Sequence, residues 1–585
     1  MKELDIVVEI CGSAGEGTIS AGEILSRFMS EQGFEIISFD SYPAEIRGFG
    51  KCVAHTRINT EMIFSPGKYA DVLIALNDSH SIPQLSVLKK GGILIFDSQP
   101  ANYHEEDQSV AGWAAPGTTS YGVPLARLAH RAAGNARGRN MVALGALAAL
   151  FHIKKEKFID SIKQRYAKKK QVVIDSNVNS FDLGYSWTKE NIEKIDPYSF
   201  KGAIPDAKKE KLIINGNQGV AKAALDSGIK LYAGYPITPA TKIMEIMGKE
   251  LPDRDGIMLQ TEDEISAIGA VVGAGFAGKR AMTATSGPGF SLMTEFTGLA
   301  VMAELPAVIV NSQRGGPSTG LPTKTEQSDF DIAVSGGSGD SPRIVLAPTD
   351  TASCYEATTL AFYLAEKYQT LVVLLLDFFL SNSIRNIDIP APVSQDLMDA
   401  NIAPDKEELE NYKRYQLTET GISPRTIPGT PGGMYFSTGL EHDEQGRPNY
   451  DGKVHTDMTE KRFRKHAQAL TEAPPPQIYG AEGKVDIGVI SWGSSAGAAR
   501  DAVASAAKEG IRAACFSSLM ISPFPEEDVK KFAARCGKLL VPELNHTGQF
   551  ANQVTRILSG PVERLNFVNG LPMAAEDILQ KIREM

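Results

Sequence analysis

The sequence predicts a multidomain α/β protein in which parallel strands alternate with covering helices. Three observations carry this reading. Short apolar runs recur along the chain, each ending in a turn and leading into an amphipathic stretch. The chain has 585 residues, more than one hydrophobic core organises, so several domains are expected. One Pro- and Gly-rich passage, 396–483, interrupts the rhythm and separates two such series.

The first series opens at Leu4–Cys11, apolar at most positions and read as a buried strand. The turn Gly12–Thr18 follows, then a helix to about 32. Further strands are expected at Phe34–Asp40, Ala70–Leu76 and Gly92–Asp97, which predicts a parallel sheet under helices. Two helical stretches within 140–180 are separated near Phe151–Lys154. This domain is assigned to 1–190. The turn glycines, Gly12, Gly15 and Gly17, are not spaced as a strict dinucleotide fingerprint, and Glu16 opposes a diphosphate there. They would let backbone N–H groups face an anion or a partner.

Residues 191–210 are polar and Lys/Asp-rich and read as a linker. A second α/β domain is assigned to 211–395, with strands at 211–215, 231–235, 257–260, 281–284, 307–311, 343–347 and 370–377. Its helix 261–277 is rich in Ala and Gly, which suits either ordinary core packing or a close partner. Residues 396–483 are too long for a plain connection and read as an extended arm covering a neighbour. A small α/β domain, 484–585, closes the chain with strands at 486–490, 513–517, 538–542 and 562–567.

Bulk properties exclude several classes. The net charge is −10 and no basic stripe occurs, so nucleic acid is not an expected partner. The N-terminus runs directly into a strand pattern, without a signal peptide, and the apolar run 371–377 is too short to span a bilayer. A cytoplasmic protein without membrane contact is expected. The five cysteines share no Cys-x-x-Cys spacing, so reduced thiols are expected, without a disulfide framework or a cluster held by this chain alone. The nine histidines form no His-x-His or His-Glu-x-x-His pair, and no metal ligands are assigned.

The chemistry-bearing residues fall at strand ends. In Tyr235–Pro239, Pro239 suits the first turn of a helix, making Thr238 either a simple N-cap or a hydroxyl beside a bound carboxylate. Arg314 leaves the buried run AVIVNSQ and must meet an internal carboxylate or a ligand, since unpaired burial is prohibitive. Its fork matches two carboxylate oxygens. The loop Gly315–Gly320 bends tightly after it, with Thr323 and Lys324 just beyond; Lys324 reads as a surface group. Glu264 starts a helix beside Glu262 and Asp263, where acids are favourable whether or not they act on a proton. Thr283–Gly289 is another turn able to face an anion. Arg47, after a strand of the first domain, would meet an anionic ligand or a surface acid.

These strings resemble one family across nearly the whole chain. Gly12–Thr18 (GSAGEGT) and Ser41–Gly48 (SYPAEIRG) resemble the gamma domain of 2-oxoacid:ferredoxin oxidoreductases. GNQGVAKAALDSG, YPITP, QTEDEISAIGAVVGAGFAGKR, TSGPGFSLM, QRGGPSTGLPT and TEQSD resemble the alpha part, and ISWGSSAGAARDAV and ELNHTGQ its C-terminal domain. The chain is therefore similar to an alpha subunit with the gamma domain fused at its N-terminus. The resemblance implies a Rossmann-like gamma domain, a thiamine-enzyme pyrimidine-type domain and a transketolase-C-like α/β domain.

It further implies oxidative decarboxylation of a 2-oxoacid on thiamine diphosphate with Mg2+. The acyl group would pass to coenzyme A and electrons through [4Fe-4S] chemistry to ferredoxin, reversibly. The absence of a Gly-Asp-Gly motif and of clustered cysteines fits a division in which a beta subunit holds the diphosphate, Mg2+ and cluster. A dimer of alpha–beta heterodimers is implied. By position, Glu264 would contact the aminopyrimidine and help generate the reactive cofactor, with Glu262 as rival. Tyr235, Pro236, Ile237 and Gly287 would also border the cofactor. Thr238 and Arg314 would bind the carboxylate and keto group, and Thr323 would line the pocket. Arg47 would read the distal end of the substrate, which favours 2-oxoglutarate over pyruvate or a branched-chain oxoacid. An anionic-metabolite binding protein is the reading from a different class.

Overall fold

The computed structural model describes residues 4–42, 50–99, 109–203, 210–394, 397 and 400–585. The chain forms two compact units: Met1–Ile214 with Ser383–Ile389, and Asn215–Asn382 with Pro390–Met585.

The first unit is built on an eight-stranded sheet. Its strands are β1 (Asp5–Ser13), β2 (Glu35–Ser41), β3 (Lys51–Asn59), β4 (Ala70–Ala75), β5 (Leu88–Asp97), β6 (Thr119–Val123), β7 (Lys211–Ile214) and β14 (Ile384–Asp388). Their order is β6-β5-β4-β1-β3-β2-β14-β7. The part from β6 to β1 is parallel. The rest is not: β3 is antiparallel to both β1 and β2, and β14 is antiparallel to β2 and β7.

Two expectations are corrected here. The run KCVAHTRIN forms a strand between β1 and β2, so those two never pair and the sheet is mixed rather than wholly parallel. Residues 211–214, expected to open the second domain, instead pair with β14 and close the edge of the first sheet. A four-residue strand takes whichever edge its register reaches, and sequence spacing does not reveal that edge. The expected linker is also tied down: Phe200 is buried among Phe34 and Phe151.

Helices Arg139–Leu150 and Gln171–Asn191 cross closely in this unit. A side chain at Gly145 would meet the Phe181 carbonyl at 2.2 Å, and one at Gly184 would meet the Val142 carbonyl at 2.2 Å. Only glycine permits that backbone approach. Within the Gly-rich turn Glu16 accepts the Ser13 N–H (2.7 Å) and the Asn77 amide (2.6 Å), while the buried Thr18 Oγ1 has no partner.

The second unit carries two sheets. The larger holds β8 (Leu231–Gly234), β9 (Ile257–Gln260), β10 (Ala281–Thr285), β11 (Ala307–Gln313), β12 (Ile344–Leu346), β13 (Leu371–Asp377) and β18 (Met520–Ser522). Its order is β18-β12-β13-β11-β10-β8-β9, parallel except for β18. The smaller holds β15 (Gln477–Gly480), β16 (Val485–Ile490), β17 (Ala513–Ser517), β19 (Cys536–Glu543) and β20 (Glu563–Asn566), ordered β15-β17-β16-β19-β20. The central strands β10, β11 and β13 are buried throughout and lie under helices, as parallel strands must.

The passage 400–468 packs onto this same unit through buried charges. Arg425 pairs with Glu366 at 2.6 Å. Lys461 and Lys465, one turn apart on helix Gly452–Gln468, both meet Glu304 (2.6 and 2.7 Å). The helix Glu264–Phe276 answers the question its small residues raised on both sides: Gly275 abuts the Pro306 carbonyl, while Gly273 faces open space.

Candidate functional site

Parallel sheets place ligands beyond the carboxyl ends of their strands, and the second unit gathers its unusual residues there. β11 ends at Gln313, whose side chain donates to the Leu376 carbonyl and accepts the Asp329 N–H (both 2.9 Å). Arg314 follows, only 8% exposed. Its Nη1 donates to the Thr238 carbonyl at 2.7 Å, while its Nε is buried without a partner. Burial lowers the Arg314 pKa, and nearby Asp329 and Glu264 oppose that effect. A buried guanidinium with an open donor is built to receive an anion.

Glu264 is the first residue of its helix, and Asp263 caps that helix by accepting the Ser266 N–H at 2.7 Å. Glu264 is buried, whereas its rival Glu262 is exposed. Burial raises the Glu264 pKa, with the Asp263 charge adding and Arg314 subtracting. The buried site thus favours the protonated carboxyl more than water does. The turn after β10 lies against it. A Cβ at Gly289 would stand 2.3 Å from Glu264 Oε1 and 2.2 Å from Thr285 Oγ1. At Gly287 it would stand 2.9 Å from Asp329 Oδ2.

A cavity of about 720 Å³ opens beside these groups. Gly287, Arg314, Glu326 and Asp329 line it, with Asn545 and His546 from the C-terminal sheet. Four buried polar atoms around it lack a partner: Thr283 Oγ1, Ser286 Oγ, Asn311 Oδ1 and Arg314 Nε. Native proteins rarely leave such atoms unpaired, and here all four lie on the adjacent strands β10 and β11 or just beyond them.

Of the residues singled out in the sequence, Arg314 and Gly287 border the cavity, Thr238 touches Arg314, and Glu264 lies behind Gly289. Thr238 is not the helix cap: helix Thr241–Glu250 begins after Ala240, and Thr238 and Pro239 lie in the turn before it. The Thr238 hydroxyl makes no hydrogen bond among the described residues. Tyr235 is exposed and Pro236 and Ile237 are half-buried on the same turn. Thr323 is half-buried and outside the lining of this cavity. Arg47 lies outside the described residues.

Sequence reasoning missed Asp329 and the C-terminal segment that holds its loop. Asp329 accepts from Asn311 Nδ2 at 3.0 Å, and burial raises its pKa. Gln327 exchanges backbone and side-chain hydrogen bonds with Leu544, and Asn545 Nδ2 donates to the Gln327 carbonyl (2.9 Å). Gln549 bonds Ser328 and Asp331. The signal available was the pairing of TEQSD with ELNHTGQ, two polar strings at strand ends with no other obvious use. Among the described residues no group of three His, Cys, Asp or Glu side chains could hold a metal ion.

Comparison with known proteins agrees with this layout. Residues 7–187 match the family described as pyruvate ferredoxin/flavodoxin oxidoreductase. Residues 222–461 match its thiamine diphosphate-binding domain, and 485–578 the pyruvate:ferredoxin oxidoreductase core domain II. The 2-oxoglutarate oxidoreductase subunit KorA of Mycobacterium tuberculosis is 31% identical over 99% of this chain and 91% of its own. This chain belongs to the 2-oxoacid:ferredoxin oxidoreductase alpha-subunit family, of the 2-oxoglutarate type. The 2-oxoglutarate synthase subunit KorA of Methanothermobacter thermautotrophicus is 38% identical over 64% of this chain and 99% of its own. A solved structure, the 2-oxoglutarate:ferredoxin oxidoreductase of Magnetococcus marinus with 2-oxoglutarate, coenzyme A and succinyl-CoA bound, is 37% identical. It covers 100% of both chains at a TM-score of 0.93. The expected fused gamma domain and multidomain α/β architecture agree with these matches, and the metabolite-binding alternative gives way to an oxidoreductase. No helix among the described residues is long and apolar enough to cross a membrane.

Proposed function

We propose that this chain is the alpha subunit of a cytoplasmic 2-oxoglutarate:ferredoxin oxidoreductase. It would convert 2-oxoglutarate and coenzyme A into succinyl-CoA and CO2, with two electrons leaving to ferredoxin, and the reverse. The observation that carries this reading is Arg314, buried with an unpaired Nε beside a buried Glu264 in a chain of this family.

The residues present fit one wall of a thiamine diphosphate site: Glu264, Gly287 and Gly289 form a close cradle, and Ser286 offers an unpaired hydroxyl. When bound, the thiamine supplies the electron sink for decarboxylation. This chain's side chains do the rest. Glu264 would hold a proton against the aminopyrimidine ring nitrogen, a task its raised pKa suits. Arg314 would grip the substrate carboxylate and orient it, with the Thr238 hydroxyl on the keto side. Arg47 would read the distal carboxylate, and Thr323 would border the substrate.

A beta subunit would complete the site with the diphosphate contacts, Mg2+ and a [4Fe-4S] cluster, as two heterodimers. The edge strand β9 supports this, because Ile257 and Leu259 stand exposed on it and Ile265, Leu292 and Leu321 stand exposed nearby in sequence to the site loops.

The test is Arg314→Met in the complex purified with its beta subunit, assayed with 2-oxoglutarate, pyruvate and branched-chain oxoacids, coenzyme A and a viologen dye. KM for the oxoacid should rise at least about tenfold, the worth of one charge-assisted pair. Unchanged activity at low substrate would remove Arg314 from the role, and preference for pyruvate would replace the substrate.

A further inference from the structure

The site holds more acid than its one guanidinium balances. Asp329 and Glu326 share the cavity with Arg314, and Glu264 acts on its charge from behind Gly289. Among the described residues that line this cavity, Arg314 is the only Lys or Arg. A bound oxoacid would bring one more carboxylate to it.

The three acids are not equally provided for. Glu326 Oε2 accepts the Gly316 N–H and the Ser328 hydroxyl (both 3.2 Å). Glu264 opens a thirteen-residue helix, whose first turn favours negative charge. Asp329 has neither kind of support. Its carboxyl takes one hydrogen bond, from Asn311 Nδ2 at 3.0 Å, and makes no ion pair among the described residues.

Asp329 precedes helix Phe330–Ser335 but does not cap it. Its carboxyl turns instead onto Gly287, where a Cβ would stand 2.9 Å from Oδ2 and 3.1 Å from Oδ1. Asp329 is half-buried, and it lines the cavity. A ligand filling that cavity strips water from the carboxyl and sets a second negative charge near it. Both changes favour the neutral acid. Burial already raises the Asp329 pKa; Glu326 adds to that, while the Asn311 bond and Arg314 oppose it.

We propose that Asp329 is a positioning residue that carries a proton whenever an oxoacid carboxylate occupies Arg314, so that substrate binding takes up a proton from solvent. The proposal rests on Arg314 as the carboxylate grip. An ionised Asp329 competes with the substrate for the guanidinium, and a neutral one leaves it free. The proton returns to solvent when the site empties. The charged and titratable groups around Asp329 are Arg314 beyond β11, Glu326 on its own loop and His546 from the C-terminal segment, with Glu264 acting through Arg314.

The test uses the complex of the full chain with its beta subunit. KM and kcat are read from about pH 5.5 to 9.5 for whichever of 2-oxoglutarate, pyruvate and branched-chain oxoacids it turns over, with coenzyme A and a viologen dye. Coupled uptake of one proton raises KM by about tenfold per pH unit over part of that range. Asp329→Asn, a neutral isostere, should abolish that rise. His546→Gln should keep it, since an exposed rim histidine is not its source. A KM flat with pH in the parent, a rise that survives in Asp329→Asn or disappears in His546→Gln, or a KM raised tenfold at every pH by Asp329→Asn would each overturn the proposal.

Thermal midpoints give a reading without turnover. With its pKa raised in the fold, Asp329 holds a proton that the unfolded chain releases from about pH 4 upward, so the parent loses stability as pH rises. The midpoint of Asp329→Asn should match the parent near pH 4 and exceed it increasingly above. A lower midpoint than the parent at pH 8 would show that the fold needs the carboxylate, and the proposal would fall. A complex active on no oxoacid would sink the proposed function instead, and the midpoints would still decide whether the fold favours a neutral Asp329.

Discussion

Replacing Glu304 with Gln tests what docks the 400–468 passage. Glu304 is buried completely and takes Lys461 Nζ on both carboxylate oxygens (2.6 and 2.7 Å) and Lys465 Nζ on one (2.7 Å). Arg414, also wholly buried, donates to the Glu304 carbonyl at 2.6 Å. Burial opposes ionisation of Glu304, but Lys461, Lys465 and Arg414 outweigh it and hold the carboxyl far below its usual range. An amide at this position keeps the shape and removes the one anion that pairs with these two buried ammonium groups among the described residues. Breaking a buried pair from one side costs about 3–5 kcal/mol. For a unit this large, each kcal/mol moves the midpoint by about 1–1.5 °C, so a fall of about 4–7 °C is expected by calorimetry. Limited proteolysis should cut first within 400–468. Lys461→Met should cost less, because Lys465 still neutralises Glu304. A Glu304→Gln midpoint within 1 °C of the parent, or no new cleavage in the passage, would refute the clamp.

Two further predictions concern single side chains near the site. Gly289→Ala sets a methyl carbon 2.3 Å from Glu264 Oε1, so the carboxylate must move; kcat should fall at least about tenfold, for a stability loss of about 1–3 kcal/mol, and kcat within twofold of the parent would detach Glu264 from the chemistry. Asp377 is buried at the end of β13, accepting from Leu380 N–H (2.8 Å) and the Ser494 hydroxyl, and burial pushes its pKa up to about 6. The folded chain therefore binds a proton that the unfolded chain has released between about pH 4 and 6, and stability falls as pH rises through that window by about 3 kcal/mol. Asp377→Asn stays neutral throughout. Its midpoint advantage should grow from near zero at pH 4 to a plateau above pH 6.5, and a flat difference would show that Asp377 is ionised in the fold.

What the sequence made legible followed from local signals. The buried runs of β10, β11 and β13 announce themselves by apolar composition, and the turns after them by Gly, Pro and a single Arg. Helix Glu264–Phe276 starts where its acids predict. What stayed hidden depends on partners far along the chain. β3 (KCVAHTRIN) is half polar and does not alternate, and its place between β1 and β2 emerges only from the pairing. β7 reaches its sheet through β14, about 170 residues later in the chain. Thr238 looked like a cap because Pro favours a first helical turn; the chain instead turns through Thr238–Ala240 and the helix starts at Thr241. Glu304 carries no signal at all until Lys461 and Lys465 arrive, 157 and 161 residues away.

The resemblance already implied that this chain supplies one wall of a shared site, and the charges in its cavity bear on that expectation. Arg314 follows β11 and Glu264 starts the helix after the edge strand β9, with β10 and β8 between those two strands; both groups stand at the carboxyl ends of the sheet, near enough for their charges to act on each other. In the proposed function that arrangement would offer a cation to a carboxylate and a carboxyl to a ring nitrogen. It delivers no second cation toward a diphosphate: the cavity's remaining charged side chains are Glu326 and Asp329, with His546 at its rim. Acids there would disfavour a diphosphate, which fits the proposal that the phosphate end of the cofactor is held by another chain. The exposed edge of β9, with Ile257 and Leu259 uncovered, marks the side from which another chain would supply that half.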